Sequence, residues 1–133
     1  MTGVQTCALP ISEAVTLVNT VLGMAIDPET RRFRLGSGSR GGGLSGPAIH
    51  PIAVRAVFDV HRALPEVPVV GVGGVASGAD AAELLLAGAT AVQVGTATFA
   101  DPRAPYRVLD ELQGWASRQG VSRIDEVIGE VDG

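Results

Sequence analysis

Two short glycine motifs end apolar, β-branched segments and are the residues best suited to bind an anion. Gly73-Gly74 follows the apolar segment 67–72, and Gly95-Thr96 follows the segment 91–94. Glycine has no Cβ, so its backbone N–H groups can approach a phosphate closely, and a helix beginning nearby adds its positive dipole end. Tight turns would explain either pair alone. Because both pairs end consecutive segments of the same kind, the sequence favours a phosphate site.

Two other positions could contribute to the same site. Asn19-Thr20 ends a further apolar segment, and an amide that both donates and accepts suits a flat, polar ligand. A turn or helix cap is the more common role for an isolated Asn-Thr pair. The glycine-rich segment 42–46 could present N–H groups to a cofactor, or it could be a flexible connection.

Other residue types that carry chemistry give weaker signals. His50 and His61 fall on or beside a predicted helix, and we interpret them as a first-turn residue and a surface residue. The acidic residues show no paired spacing, and no cluster with metal-ligand spacing is recognised, so no metal site is predicted. The one cysteine excludes a disulfide framework, and all ten basic residues are arginine.

Strands must alternate with helices to position these motifs. The apolar segments 14–18, 67–72 and 91–94 are typical of strands covered on both faces in a parallel sheet. Apolar residues recur at intervals of three and four between residues 49 and 64, which predicts an amphipathic helix. Ser77 and Asp80 have capping-box spacing and predict a second helix.

Further helices and one excursion complete the pattern. The second helix should end at Gly88. A third helix should begin at 101–102, and a short helix should open at 122–125. The residues expected on the packed side of the third helix are Tyr106, Leu109, Leu112, Trp115 and Ala116. Segments 24–26 and 32–35 are predicted to pair as a hairpin, and 36–43 to form a mobile loop.

This order predicts an α/β fold with right-handed parallel crossovers, whose sites lie at the carboxyl ends of the strands. Three such units are too few to close an eight-stranded barrel, for which about 250 residues are typical. We therefore expect the carboxyl-terminal part of a (β/α)8 TIM barrel with a β-hairpin excursion.

Bulk composition excludes several classes of protein. The 133 residues suit one domain, and 46% apolar with 18% charged residues excludes intrinsic disorder. The net charge of −4, with no basic stripe, argues against nucleic-acid binding. No apolar window is long enough for a membrane span, and we expect a cytoplasmic location.

The first residues fit no structural pattern. Residues 5–11 match what one reading frame of a common sequencing-library adapter encodes. We therefore expect residues 1–12 to be a non-native leader and residues 13–133 to be the barrel portion. Cys7 lies in that leader and carries little weight as a nucleophile.

Four motifs in order resemble dihydroorotate dehydrogenase, most closely class 1, subfamily B: Val18-Asn19-Thr20, Gly42-Gly43-Leu44-Ser45-Gly46-Pro47-Ala48-Ile49, Val72-Gly73-Gly74-Val75 and Val92-Gln93-Val94-Gly95-Thr96-Ala97. The resemblance covers about residues 14–128. It implies an FMN-containing barrel that oxidises dihydroorotate to orotate in pyrimidine (UMP) biosynthesis. The flavin carries the redox chemistry in such an enzyme, and the protein orients the two rings.

The resemblance also implies roles for residues of this chain. Asn19 and Thr20 would hold orotate against the flavin. The FMN contacts would be Val18, Gly46, Gly73, Gly74, Gly95 and Thr96, the last four mostly around the phosphate. In the family the catalytic base is a cysteine on a loop well upstream, and a flavin-contacting lysine is also upstream. No catalytic residue is therefore assigned here, and we expect the chain alone to be inactive.

Partners and alternatives follow from the same resemblance. A subfamily B enzyme passes electrons through an iron–sulfur flavoprotein subunit to NAD, although no residue here identifies that subunit, and the parent is expected to be oligomeric. One alternative is a flavin barrel like the pyrimidine-reducing domain of dihydropyrimidine dehydrogenase. Another is a non-catalytic fragment that binds phosphate or FMN.

Overall fold

A computed structural model of the chain describes residues 12–35 and 40–131. Residues 1–11 of the predicted leader, including Cys7, and residues 36–39 of the predicted glycine loop lie outside that part. The strands in chain order are β1 (Val15–Leu17), β2 (Val21–Gly23), β3 (Ala25–Asp27), β4 (Arg32–Leu35), β5 (Gly42–Leu44), β6 (Val69–Val72) and β7 (Ala91–Gln93). The helices are α1 (His50–Ala63), α2 (Gly78–Ala87), α3 (Ala97–Ala100) and α4 (Ala104–Gln119).

The central sheet contains the three strands that the apolar segments predict. Its order is β1-β6-β7, and both pairings are parallel. Val15 pairs with Val69, and Val70 pairs with Ala91, so the three strands end at the same edge. A helix connects β6 to β7, as a parallel crossover requires. This register places the segments after β1, β6 and β7 side by side.

Helix α2 begins and ends where the sequence predicts. The Ser77 side chain accepts a hydrogen bond from the Asp80 N–H, and the Asp80 carboxylate accepts from the Ser77 N–H, which completes the capping box. At the other end, Gly88 has a φ of 119°, a left-handed conformation that favours glycine. The start of α2 is thus fixed directly after the Gly73-Gly74 loop.

The core lies between the sheet and one layer of helices. Side chains from β1, β6, α1 and α2 fill it, including Leu17, Val57, Val69 and Leu84. The opposite face of the sheet is more open, with Thr16, Ala91 and Gln93 exposed. The expectation that the strands are covered on both faces is therefore wrong for this chain, because the helices pack against one face only.

The excursion forms two small antiparallel sheets. β3 pairs with β4, which confirms the predicted hairpin to within one residue. β2 pairs with β5, so Gly42 and Gly43 belong to a strand and not to the predicted loop. Glycine is accommodated there because Gly43 packs directly on the Thr20 side chain, where a Cβ would collide.

The carboxyl-terminal helices differ from the predicted pattern. The short helix α3 was not predicted, and the short helix predicted to open at 122–125 is a 3₁₀ helix over Ile124–Val127. Tyr106 and Leu109 were expected on the packed side of α4, but they are 76% and 51% exposed. Ala104 and Val108 are the buried residues of α4 instead, because they lie on the face of α4 that meets α2.

Candidate functional site

All the residues to which the resemblance assigns ligand contacts lie around one cavity at the carboxyl edge of the sheet. Its volume is about 170 Å³. The predicted residues that line it are Val18, Asn19, Thr20, Gly46, Gly73, Gly74, Gly95 and Thr96. They converge because parallel strands bring their carboxyl ends to one edge, and the segment after β5 closes the cavity from the side.

A second cavity of about 300 Å³ adjoins the first. Both cavities are lined by Gly46, Gly74 and Thr96, so these three residues mark their junction. Beyond the junction the second cavity is bounded by Asp101 and Arg107. An elongated ligand with a ring at one end can therefore occupy the first cavity and extend past the junction.

Backbone donors are concentrated at the junction. Within the part of the chain that the structure describes, the N–H groups of Gly46, Gly74, Gly95 and Thr96 donate to no protein acceptor. Gly46 is buried and Gly74 is half-buried, and backbone donors in such places are nearly always paired, so these two call for an external acceptor; Gly95 and Thr96 are exposed at the same cavity. Phosphate oxygens are strong acceptors for such groups.

The two glycine motifs are glycine for different reasons. Gly73 and Gly74 have φ values of 142° and 67°, which residues with a Cβ rarely adopt. Gly95 has no such constraint, and a Cβ built on it meets no protein atom within 4 Å. Gly95 therefore leaves open space at the cavity wall that a side chain would fill.

Asn19 and Thr20 combine the two roles that the sequence left open. The Thr20 N–H donates to the Asn19 Oδ1 at 2.7 Å, so the amide oxygen caps the turn after β1. Among the described residues, the Asn19 amide nitrogen donates to no protein acceptor, and both residues are exposed at the cavity. The turn bond thus orients an amide whose N–H groups remain available to a ligand.

Sequence reasoning missed Ser45 as a site residue. The Thr96 hydroxyl donates to the Ser45 Oγ at 2.8 Å, which joins the segment after β5 to the segment after β7. Ser45 lies inside the glycine-rich segment 42–46 that the sequence singled out, so its position was a usable signal. Ile49 and Val72 supply the apolar part of the cavity wall.

A charged network anchors the loop after β6 to α4. Arg107 donates to the Ala76 carbonyl at 3.0 Å and contacts the carboxylates of Asp101 and Glu111. The Gly78 N–H donates to Glu111 Oε2 at 2.7 Å, and this bond together with Arg107 lowers the pKa of Glu111 below its usual value. Backbone donation by Arg103 and the charge of Arg107 lower the pKa of Asp101 in the same way.

A group of possible metal ligands lies behind the loop, outside the two cavities at the junction. Donor atoms of His50, Asp80 and Glu83 lie within 4.8 Å of one another. The sequence showed no such cluster because His50 and Glu83 are 33 residues apart, and only the packing of α1 on α2 brings them together. His50 and Glu83 already contact each other directly at 2.9 Å.

The protein groups at the junction fit a flavin that carries a phosphate. It offers free backbone donors, an open wall at Gly95 and an apolar surface from Ile49 and Val72. Backbone N–H groups are the phosphate donors at the junction itself, the Thr96 hydroxyl lies beside them, and the Arg107 guanidinium lines the second cavity beyond it. Among the described helices, none is both long and apolar enough to cross a membrane.

Comparisons with known proteins point to one family. The sequence profile of the family described as Dihydroorotate dehydrogenase matches residues 3–115. A putative dihydroorotate dehydrogenase A (fumarate) from Solibacter usitatus is 54% identical over 89% of this chain and 38% of its own length. The catalytic subunit of dihydroorotate dehydrogenase B (NAD(+)) from Trichlorobacter lovleyi is 46% identical over 97% of this chain and 41% of its own length.

A solved structure confirms the predicted fold class. The crystal structure of DHODH from Eimeria tenella, in complex with ferulenol, superposes with a TM-score of 0.76 at 29% identity. The match covers 94% of this chain and 33% of the Eimeria chain. The parallel strands and flanking helices thus correspond to part of a TIM barrel, and the chain spans about two fifths of the length of its curated relatives. It resembles B (NAD(+)) catalytic subunits at 46% and 50% identity. By its sequence profile and its fold, the chain belongs to the dihydroorotate dehydrogenase family.

Proposed function

We propose that this chain supplies the phosphate-binding and substrate-holding side of an FMN-dependent dihydroorotate dehydrogenase, which oxidises dihydroorotate to orotate in pyrimidine biosynthesis. The observation that carries the proposal is the convergence of free backbone N–H groups on the junction lined by Gly46, Gly74 and Thr96. Family membership supports it, and the proposal extends to this chain what the names of its relatives state.

Each residue has a definite task in this proposal. The N–H groups of Gly46, Gly74, Gly95 and Thr96 hold the phosphate, and Val18 packs against the ring system. A bound flavin would accept the hydride that leaves substrate carbon 6. Asn19 and its neighbour Thr20 hold the orotate ring and carboxylate parallel to the flavin, which fixes the distance and angle of transfer.

The proton that leaves substrate carbon 5 needs a base that the described residues do not offer at the cavity. His50, the nearest imidazole, faces the Gly73 carbonyl and the α2 carboxylates. We infer that the base comes from another part of the enzyme. By its likeness to B-type catalytic subunits, we further propose that the parent enzyme passes electrons to a partner subunit that uses NAD, and that it works in the cytoplasm.

Titration with FMN tests the cofactor half of the proposal. Flavin fluorescence should change saturably as the chain is added, and the bound fraction should fall when inorganic phosphate competes. No saturable change, under conditions in which the chain is folded by circular dichroism, would refute FMN binding and leave a fragment without a ligand role.

Orotate binding tests the substrate half. Asn19→Leu removes the free amide donors together with the oxygen that caps the turn after β1. Losing the bonds to the ligand costs about 1–3 kcal/mol, so orotate affinity should fall about tenfold or more. FMN affinity should change less than twofold. Gln113→Leu, an amide change on the exposed face of α4, is the matched control and should affect neither ligand.

A further inference from the structure

His50 contacts the phosphate loop from behind. It is the first residue of α1 and is 7% exposed. Its Nδ1 lies 2.8 Å from the Gly73 carbonyl oxygen, and its Nε2 lies 2.9 Å from Glu83 Oε2 and 3.8 Å from Asp80 Oδ1. The ring therefore spans the space between the loop after β6 and the helix that follows it.

The acceptor that faces Nδ1 assigns the proton on the ring. A carbonyl oxygen only accepts hydrogen bonds, so Nδ1 carries the hydrogen and donates it to Gly73. Nε2 faces carboxylate oxygens, which also accept, so each ring nitrogen lies opposite an acceptor. The other charged pair on this side, Arg55 with Asp59, is formed within α1 at 2.8 Å.

We propose that His50 is a positioning residue for FMN binding, which orients the Gly73-Gly74 peptide by donating from Nδ1 to the Gly73 carbonyl. The proposal rests on the proposed function, because it assigns the loop to the flavin phosphate. In a planar trans peptide the C=O and the next N–H point in opposite directions. Fixing the Gly73 carbonyl toward His50 therefore aims the Gly74 N–H away from α1.

The loop needs such a restraint because of its composition. Two adjacent glycines have more conformational freedom than any other pair, and that freedom must be lost before the N–H groups can bind an anion together. Gly74 is also packed tightly on His50, since a Cβ at Gly74 would lie 2.9 Å from the His50 Cβ. Contact and hydrogen bond together hold the loop in its binding shape.

Two amide substitutions distinguish the role of the ring nitrogen Nδ1 from that of Nε2. In His50→Asn the side-chain amide reaches the position of Nδ1 and can still donate to Gly73. In His50→Gln the amide reaches the position of Nε2 and can donate only toward Glu83. We expect FMN affinity within about threefold of the original chain for His50→Asn, and a loss of tenfold or more for His50→Gln. Glu83→Gln should weaken FMN less than His50→Gln does.

A second measurement keeps the test independent of the flavin. The amide proton of Gly74 in the FMN-free chain should keep its NMR chemical shift in His50→Asn and move in His50→Gln, while urea midpoints for the two variants stay similar. If the original chain fails to bind FMN but the Gly74 shift behaves as expected, the proposed function fails, and what stands is that His50 orients the Gly73-Gly74 peptide.

Three results would overturn the positioning role. They are a loss of affinity in both variants that parallels a loss of stability, no loss in either variant, or a loss in His50→Asn alone.

Discussion

Gly95 and Gly74 line the same cavity, but we expect substitution of Gly95 to weaken ligand binding and substitution of Gly74 to destabilise the fold. At Gly95 a side chain meets open space, whereas at Gly74 a Cβ would lie 2.6 Å from the Gly46 carbonyl oxygen at a φ of 67°. The first glycine is expected to serve the ligand, and the second is required by the fold itself.

Gly95→Val should abolish most FMN binding and leave the protein folded. The new side chain would fill the space at the phosphate end of the cavity, so we expect at least a tenfold loss of affinity, which corresponds to about 1.4 kcal/mol. Fluorescence titration measures the affinity, and thermal melting measures the fold. Gly114→Ala, in α4 away from the cavity, is the control, and equal FMN affinity for Gly95→Val and the original chain would contradict the assignment.

Gly74→Ala should instead destabilise the fold. A non-glycine residue in a strained backbone conformation costs about 1–3 kcal/mol, and the close carbonyl adds steric repulsion. Urea denaturation should show a lower free energy of unfolding even without FMN. An unchanged midpoint would mean that the loop does not hold this conformation in solution.

The capping box of α2 is the element-scale feature that fixes the phosphate loop. Burial acts to raise the pKa of Asp80, but hydrogen bonds from Ala76 and Ser77 and the charge of His50 outweigh it, so the pKa lies below its usual value. Asp80 Oδ2 accepts from both backbone N–H groups at 2.9 and 2.8 Å. The ionised carboxylate therefore stabilises the start of the helix.

Asp80→Asn should lower the free energy of unfolding by about 0.5–2 kcal/mol at neutral pH, the usual value of a helix cap. Because the folded pKa is depressed, the stabilisation is complete above the unfolded pKa of about 3.9 and is lost as the pH falls through the folded value. Urea melts from pH 6 down to pH 3 should show the two proteins converging. A constant difference at all pH values would contradict the role of the charge. Asp110→Asn on the exposed face of α4 is the control.

At the scale of the whole molecule, the described part leaves large apolar surfaces open. Six apolar residues of the excursion are each more than 40% exposed to solvent: Leu22, Met24, Ile26, Phe33, Leu35 and Leu44. In the described residues, β1 and β7 each have one edge without a partner strand. Surfaces of this kind mark interfaces or cause association.

The isolated chain should therefore self-associate. We expect light scattering to show a mass that rises with concentration, and the dye ANS to bind strongly. Leu22→Ser and Leu35→Ser together should reduce both signals, whereas Leu109→Ser on α4 should change them less, since Leu109 stands outside the excursion. A monomer with a cooperative melt would contradict this expectation.

Catalysis should also be absent from the isolated chain. Purified protein with added FMN and dihydroorotate should produce no orotate above the rate of the flavin alone, because the described residues place no base at the cavity. Measurable turnover that survives repurification would contradict this expectation. Mixing with an upstream segment that carries a cysteine and a lysine is the corresponding gain-of-function experiment.

The sequence by itself determined the three strands of the central sheet, the helices α1, α2 and α4, and most of the residues that line the cavity. Periodicity located β6 and α1, capping chemistry located both ends of α2, and the resemblance located Asn19 and the glycine motifs. These signals succeed because they are local: each depends on residues within a few positions of one another. The role of residues 1–12 remains a prediction that resequencing the source DNA can test.

Only the tertiary structure decided which distant groups meet. The contacts of His50 with Gly73 and Glu83, the bond from Thr96 to Ser45 and the exposure of Tyr106 all depend on how helices pack on the sheet. Packing is set by long-range shape complementarity, and no spacing along the chain encodes it. The physical reason is that a helix can rotate about its own axis by a few tens of degrees and bury different side chains. The spacing of the apolar residues in its sequence stays almost unchanged by that rotation.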